Sequence, residues 1–312
     1  MEETYAFIES DLNEALKCQT PLVKDGVAKR WRANTAGING FASRFYLNRN
    51  NYEKALEYAN KALSEWNVLV DYNTEMSESD AYGFGVNFPS TFDLDASNYT
   101  KKLAWKESLY MRFLYTTYVD MLYFPSRDLT ALYDTQHDLR YKYHFVEGFM
   151  EIYGSQYSYP VYMFFSFNHI PNGPSTAEMY LIKAECQARL GDFSTAMLTL
   201  NQLRAKRLTP GTWVNLQAGT QREAIKSIID ERRREMPFSQ RWNDLRRYNN
   251  NEDPDDDVPL ITRKFYPISS SAIYDKEAPI IYKLEKNSRK YALPINQNEI
   301  NVSGGVIKQN AY

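Results

Sequence analysis

Two groups of side chains in this sequence could do chemistry. The first is a run of carboxylates and guanidiniums, Glu231, Arg232, Arg241, Asp244 and Arg246, with Arg233, Arg234, Glu235 and Arg247 among them. Paired carboxylates act as general acid and base on a glycosidic bond when they face a cleft roughly 5 to 9.5 Å apart. Interleaved arginines oppose that role, because a guanidinium beside a carboxyl group lowers its pKa and removes the proton a general acid must deliver. The pattern instead predicts forked ion pairs that tie the last helices to the C-terminal region. Nor do Arg232-Arg233-Arg234 read as a phosphate patch, since the flanking acids neutralise them.

The second group lies between Asn73 and Trp105, where Tyr82, Phe84, Tyr99 and Trp105 stand among Asn87, Asp93 and Asn98. Flat rings cover the apolar face of a sugar, and amides bond its hydroxyls. A ring covering roughly 50 to 100 Å² at about 25 cal/mol/Å² contributes roughly 1 to 2.5 kcal/mol. After association costs, two or three such rings give only about millimolar to high-micromolar affinity. Retention then needs a repeating polymer or a partner that closes over it. Tyr82, Phe84, Asn98, Tyr99 and Trp105 are therefore candidate glycan contacts, the competing role of each ring being to pack the loop onto helices.

Other chemistries find little support. Cys18 and Cys186 provide no disulfide framework, and three histidines without close His/Cys spacing give no metal site. Nothing in the sequence implies a cofactor. Glu252 to Asp257 is an acidic run, but it lacks the glycine and distal glutamate of a calcium-binding EF-hand loop and reads as a solvated loop. A formal net charge of −2 makes no electrostatic case for nucleic acid. No stretch is apolar enough for a membrane helix, and the residues after Met1 do not form a signal peptide.

The elements that must position these groups are mainly helical. Residues 4–16 read as an opening amphipathic helix. Ile38, Phe41, Ala42 and Phe45 then fall on one helical face, and Tyr52, Ala55, Leu56, Ala59, Ala62 and Leu63 on another, with a short polar break at Asn48 to Asn51 between them. A second copy carries Ala177, Tyr180, Leu181, Ala184 and Ala188 before a Gly191-Asp192 turn, then Phe193, Ala196, Met197, Leu200 and Leu203. The small residues let the helices approach closely, as in the tetratricopeptide pattern. Two pairs do not make a stable solenoid alone, so the rest of the chain must cover their open faces.

Residues 73–172 and 249–312 lack this periodicity. Within them a helix is expected near Lys106 to Leu114, and the alternating aromatics at 141–145 and 157–162 predict short strands. A further helix is expected from Gln221 to Glu235, ended by Pro237. The expected fold is mainly α: tetratricopeptide-like hairpins at about 36–64 and 177–206, with a large irregular, loop-rich insertion and C-terminal region, together one domain over 1–312.

Four segments, in order, resemble the SusD/RagB family of glycan-capturing outer-membrane lipoproteins. They are the first hairpin with Tyr46-Leu47 and Tyr52 to Leu56, the helix Ala177 to Glu185, the run from Glu231-Arg232 to Arg241 through Arg247, and the close Leu293-Pro294-Ile295, Glu299-Ile300 and Gln309 to Tyr312. Local departures occur at Ser239-Gln240, Asn296 and Ala311. The chain enters the family pattern partway, without its lipoprotein signal, acylated cysteine or first repeats, so part of the family's ligand surface is expected to lie outside it.

The resemblance implies a non-catalytic protein that binds an oligosaccharide or polysaccharide at the outer-membrane cell surface. Its implied partner is a SusC-like TonB-dependent transporter, and its implied membrane attachment is a lipid anchor absent from this chain. The alternative that the repeats allow is a tetratricopeptide-type protein-interaction module with no small ligand.

Overall fold

Small residues decide how the helices of this protein pack. In the computed structural model the described residues are 2–79, 88–89, 103–115, 123–147, 150–152, 155–157, 160–165, 169–267, 274 and 276–310. They form two compact units, Met1–Asp244 and Leu245–Tyr312.

In the first unit, α1 (Glu2–Ala15) leads into a hairpin of α2 (Thr35–Asn48) and α3 (Tyr52–Glu65). Asn34 caps α2: its Oδ1 accepts from Gly37 N at 2.8 Å while its Nδ2 donates to Leu109 O at 2.9 Å. The chain turns through Asn50, at φ 56°, into Asn51, which caps α3 by accepting from Lys54 N. Ala55, Ala59 and Ala62 are wholly buried, and the Ser43 hydroxyl reaches across the hairpin to Ala55 O at 2.9 Å. Such contact between helix backbones is open only to small side chains.

The buried face of α2 is rotated from the one the large side chains suggest. Phe41 is 49% exposed, whereas Ala36, Gly37, Gly40 and Ser43 are buried. The reason is steric: a Cβ on Gly40 would lie 2.8 Å from Pro174 Cβ, and one on Gly37 would lie 2.9 Å from Tyr110 Cβ. Glycines, not phenylalanine, mark where the strap at 109–110 and Pro174 crosses the helix.

Helix α4 (Leu139–His144) lies within residues 66–171, and after that stretch come the second hairpin of α5 (Thr176–Arg189) and α6 (Phe193–Arg204), and then α7 (Gln221–Glu235). Helix α5 is the central member. Met179, Ile182 and Cys186 join the core of the first hairpin, while Ala177, Leu181, Ala184 and Ala188 pack with α6 and α7. Ser175 and Asp192 cap α5 and α6 through Glu178 N and Thr195 N. Gly191 makes the turn at φ 96°, where a side chain would be strained.

Two expectations for the middle segment are corrected. Lys106 to Leu114 is not a helix, because its backbone groups are taken by other segments: Leu109 N donates to Pro174 O, Thr176 N to Glu107 O and Met111 N to Arg30 O. The alternating aromatics at 141–145 lie mainly on α4, whose start is set by Asp138 accepting from Arg140 N. A capping residue outweighs the period-two pattern there. Strand β1 (Phe113–Tyr115) pairs with β4 (His169–Pro171), and β2 (Phe145–Val146) with β3 (Val161–Tyr162), both antiparallel. Tyr72, Trp105, Tyr143, Phe145, Tyr162, Phe164 and Phe165 build the core between them.

The boundary between the units falls within the helix α8 (Arg241–Tyr248). The second unit is less irregular than its sequence suggests: β5 (Leu260–Phe265) and β6 (Ile280–Glu285) form a six-pair antiparallel hairpin, followed by α9 (Gln297–Val302). The acidic run is held within this unit, Asp256 accepting from Asn251 Nδ2 and Asp257 pairing with Lys286. The close of the chain is pinned by an amide acting as a strand: Gln309 accepts from Ile295 N at 2.8 Å and donates to Ile295 O at 2.9 Å.

Candidate ligand-binding site

The side chains of the carboxylate–guanidinium run do not form one network. Glu231 and Glu235 share a face of α7 because they are one turn apart, whereas Arg232 points about 100° away. The two faces make separate connections.

On the first face, Arg207 is fully buried. Its Nη2 lies 2.7 and 2.9 Å from the two oxygens of Glu107, its Nε donates to Glu235 at 3.0 Å, and its Nη1 donates to Val70 O at 2.8 Å. The guanidinium also sits 4.3 Å from the centre of the Tyr72 ring. Arg140 binds Asp138 through Nε and Nη2, and reaches Glu231 at 2.7 Å and Glu235 at 3.0 Å through Nη1. Arg234 and Arg204 complete the shell of Glu231 at 2.6 and 3.6 Å. Four guanidiniums thus meet four carboxylates, Asp138, Glu107, Glu231 and Glu235, and the cluster is neutral overall.

That arrangement determines protonation. Burial alone would raise the pKa of Glu231, but Arg140 and Arg234 outweigh it and pull the value down to about 2. Glu235 is buried too and is likewise lowered, by Arg207 and Arg140. Glu107 goes the other way: burial raises it, Arg207 only partly compensates, and the neighbouring Glu235 charge adds to the rise. The carboxylates nearest any cleft are thus ion-pair acceptors for structural arginines, which is a lock rather than an acid–base pair.

On the second face, Arg232 Nε donates to Asp244 Oδ2 at 2.8 Å and its Nη2 reaches Glu178 at 3.5 Å. Glu178 is fully buried and is also forked by Arg44, whose Nη1 continues to Asn172 O at 2.9 Å. This second lock joins α2, α5, α7 and the end of the irregular segment. Arg241 is half-buried and Arg246 exposed, and the buried partners of Glu231 are Arg140, Arg204 and Arg234. Sequence reasoning did not find Arg44, Glu107, Arg140, Glu178 or Arg207 as members; only the Asp138-Leu139-Arg140 triplet, with charges on both sides of a buried leucine, offered a local sign.

Above the first lock lies a cavity of about 40 Å³, walled by Trp105, Tyr162 and Phe164, floored by Glu107 and Glu235, and rimmed by Pro171 and Pro237. That is room for roughly three waters and too little for a pyranose ring. Trp105 is only 8% exposed and packs edge-on to Phe164 at 5.1 Å and Phe165 at 5.9 Å, so its indole is a wall. Tyr82, Phe84, Asn98 and Tyr99 lie outside the described residues. His144 completes the aromatic layer: Nδ1 donates to Met163 O at 3.0 Å, Nε2 accepts from the Tyr72 hydroxyl at 2.9 Å, and burial pushes its pKa down to about 4.

The geometry defines a helical-hairpin scaffold that holds an aromatic, irregular segment through buried ion pairs. Residues 176–312 match the SusD family, and the fold of the described chain is that of SusD-like proteins. A SusD superfamily protein from Bacteroides thetaiotaomicron is 19% identical, with a TM-score of 0.64 over 99% of this chain and 66% of that one. A SusD-like carbohydrate binding protein from Bacteroides vulgatus is 19% identical, with a TM-score of 0.57 over 97% of this chain and 65% of that one. Surface glycan-binding protein A from Bacteroides uniformis is 15% identical, with a TM-score of 0.60 over 99% of this chain and 68% of that one. The chain therefore spans about two thirds of the length of these structures. No curated protein matches the sequence.

Proposed function

We propose that this protein binds glycans at the bacterial outer-membrane surface and delivers oligosaccharide to a SusC-like TonB-dependent transporter, with residues 1–312 working as one SusD-like binding domain. The observation that carries the reading is the SusD-like fold shared with carbohydrate- and glycan-binding proteins, joined to a SusD-family match over 176–312. The two charge locks support it physically. They tie Glu107, Asp138, Arg140 and Asn172, described residues of the irregular segment, to the repeats and α7.

In this reading Tyr82, Phe84, Asn98 and Tyr99 contact sugar, while Trp105 is buried in the core. The test is affinity electrophoresis in gels carrying plant, host and microbial polysaccharides, with co-purification from outer membranes. Retardation by at least one polysaccharide, relieved in a Tyr82→Ala/Tyr99→Ala variant, and recovery of a transporter support the reading. Free migration in every gel and no transporter would sink it.

A further inference from the structure

An open depression lies beside the loop that follows α6, next to Arg204 of the first lock. It holds about 510 Å³ and is lined by Ala205, Pro210, Gly211, Trp213, Val214 and Asn215. A sugar ring can lie against it on Trp213, where the small cavity beside Trp105 admits none.

The loop is built to hold its shape. Asn201, buried on α6, treats Leu216 as a strand partner, its Nδ2 donating to Leu216 O at 2.9 Å and its Oδ1 accepting from Leu216 N at 3.0 Å. Arg204 donates to the same Asn201 Oδ1 at 3.0 Å and to Val214 O at 3.2 Å. Its guanidinium stands 5.1 Å from the centre of the Trp213 ring, and its other end is anchored on buried Glu231. Gly211, at φ 80°, permits the turn, and Thr212 Oγ1 closes it on Thr209 O at 2.7 Å. The indole is thus backed by a fixed cation before any ligand binds, which reduces the ordering cost of binding.

The lining chemistry narrows the ligand. It contains one flat aromatic ring, aliphatic Pro210 and Val214, the latter 81% exposed, and the exposed amide of Asn215. It contains no ionisable side chain. The cation behind the ring, Arg204, is already paired with Glu231 and bonded to Asn201 and Val214, so a phosphate, a carboxylate or an amine finds no free counter-charge, whereas an uncharged ring with an apolar face and hydroxyl edges meets both of its needs. We infer that the Trp213 loop is a second carbohydrate contact, a platform for one neutral pyranose of a polymer. It rests on the glycan-binding reading above, and its consequence is that a polymer, which presents many pyranoses, is retained more strongly than a short oligosaccharide.

The experiment compares wild type, Trp213→Ala and Trp213→Phe on one neutral polysaccharide and on a short oligosaccharide from it, by calorimetry. Matched melting temperatures check that the variants fold. The expected result is a roughly tenfold loss of polysaccharide affinity in Trp213→Ala, the scale of one aromatic platform, and partial rescue in Trp213→Phe. Indole fluorescence that shifts on sugar addition in wild type and not in Trp213→Ala supports the same contact. Unchanged polysaccharide affinity in Trp213→Ala overturns this inference and leaves the glycan reading standing. No binding of any glycan by wild type overturns both.

Discussion

Arg207 and Glu107 are 100 residues apart in sequence and form a buried forked ion pair, with Nη2 at 2.7 and 2.9 Å from the two carboxylate oxygens. Around this pair the irregular segment, the second hairpin and the last long helix of the first unit are joined. A buried ion pair of this kind specifies an arrangement more than it stabilises one, because desolvation offsets much of the attraction.

Removing one partner is therefore expected to be costly and removing both much less so. Glu107→Leu leaves four guanidiniums against three carboxylates, one unmatched buried positive charge, and is expected to lower unfolding free energy by about 3 to 5 kcal/mol. Glu107→Leu/Arg207→Met is expected to recover part of that loss. Urea denaturation of the single and double variants measures both; equal losses would show that the pair is not coupled.

Acid should weaken the first unit in two stages. His144 has a folded pKa of about 4, below its ordinary 6.5, so its stabilising contribution is present above pH 6.5 and is lost as the unfolded imidazole takes up a proton on the way down to about pH 4. Glu231, lowered to about 2 from 4.5, adds a loss between those values. Each shift corresponds to roughly 3 kcal/mol. Glu107 opposes them, since a raised carboxyl favours the folded state as pH falls. Denaturation midpoints at pH 7 and pH 5 should differ in wild type, and the difference should shrink in His144→Gln. A wild-type midpoint flat across this range would refute the assignment.

The close approach at Gly40 predicts a steric penalty. Gly40→Ala places a Cβ 2.8 Å from Pro174 Cβ, and overpacking of this kind costs roughly 1 to 3 kcal/mol despite alanine's better helix propensity. Phe41→Ala, one position on and half exposed, should cost less. Thermal melts of the two variants decide which residue marks the contact face.

The repeats were legible in the sequence because Ala55, Ala59, Ala62, Ala184 and Ala188 stand at helical spacing, and all five are wholly buried. The exact face of α2 was not, since Gly37 and Gly40 carry no hydrophobic signal and face segments more than sixty residues away. Long-range pairing hid the rest: nothing local tells that Lys106 to Leu114 gives its backbone to residues 174–176, or that Glu107 meets Arg207. The closing motif was visible as a pattern, while its physical cause, Gln309 bonding both backbone groups of Ile295, emerges only in three dimensions. The Trp213 loop carried no periodicity and was not singled out, although its single tryptophan between Pro210 and Asn215 resembles the aromatic–amide composition read at 73–105.

Glycan capture is tested most directly by isothermal calorimetry of this chain against a panel of polysaccharides and their oligosaccharides. Saturable heat with at least one glycan, in the range of about millimolar to high-micromolar affinity and reduced by Tyr82→Ala or Tyr99→Ala, is the predicted result. A folded sample that gives no saturable heat with any glycan in the panel would contradict it.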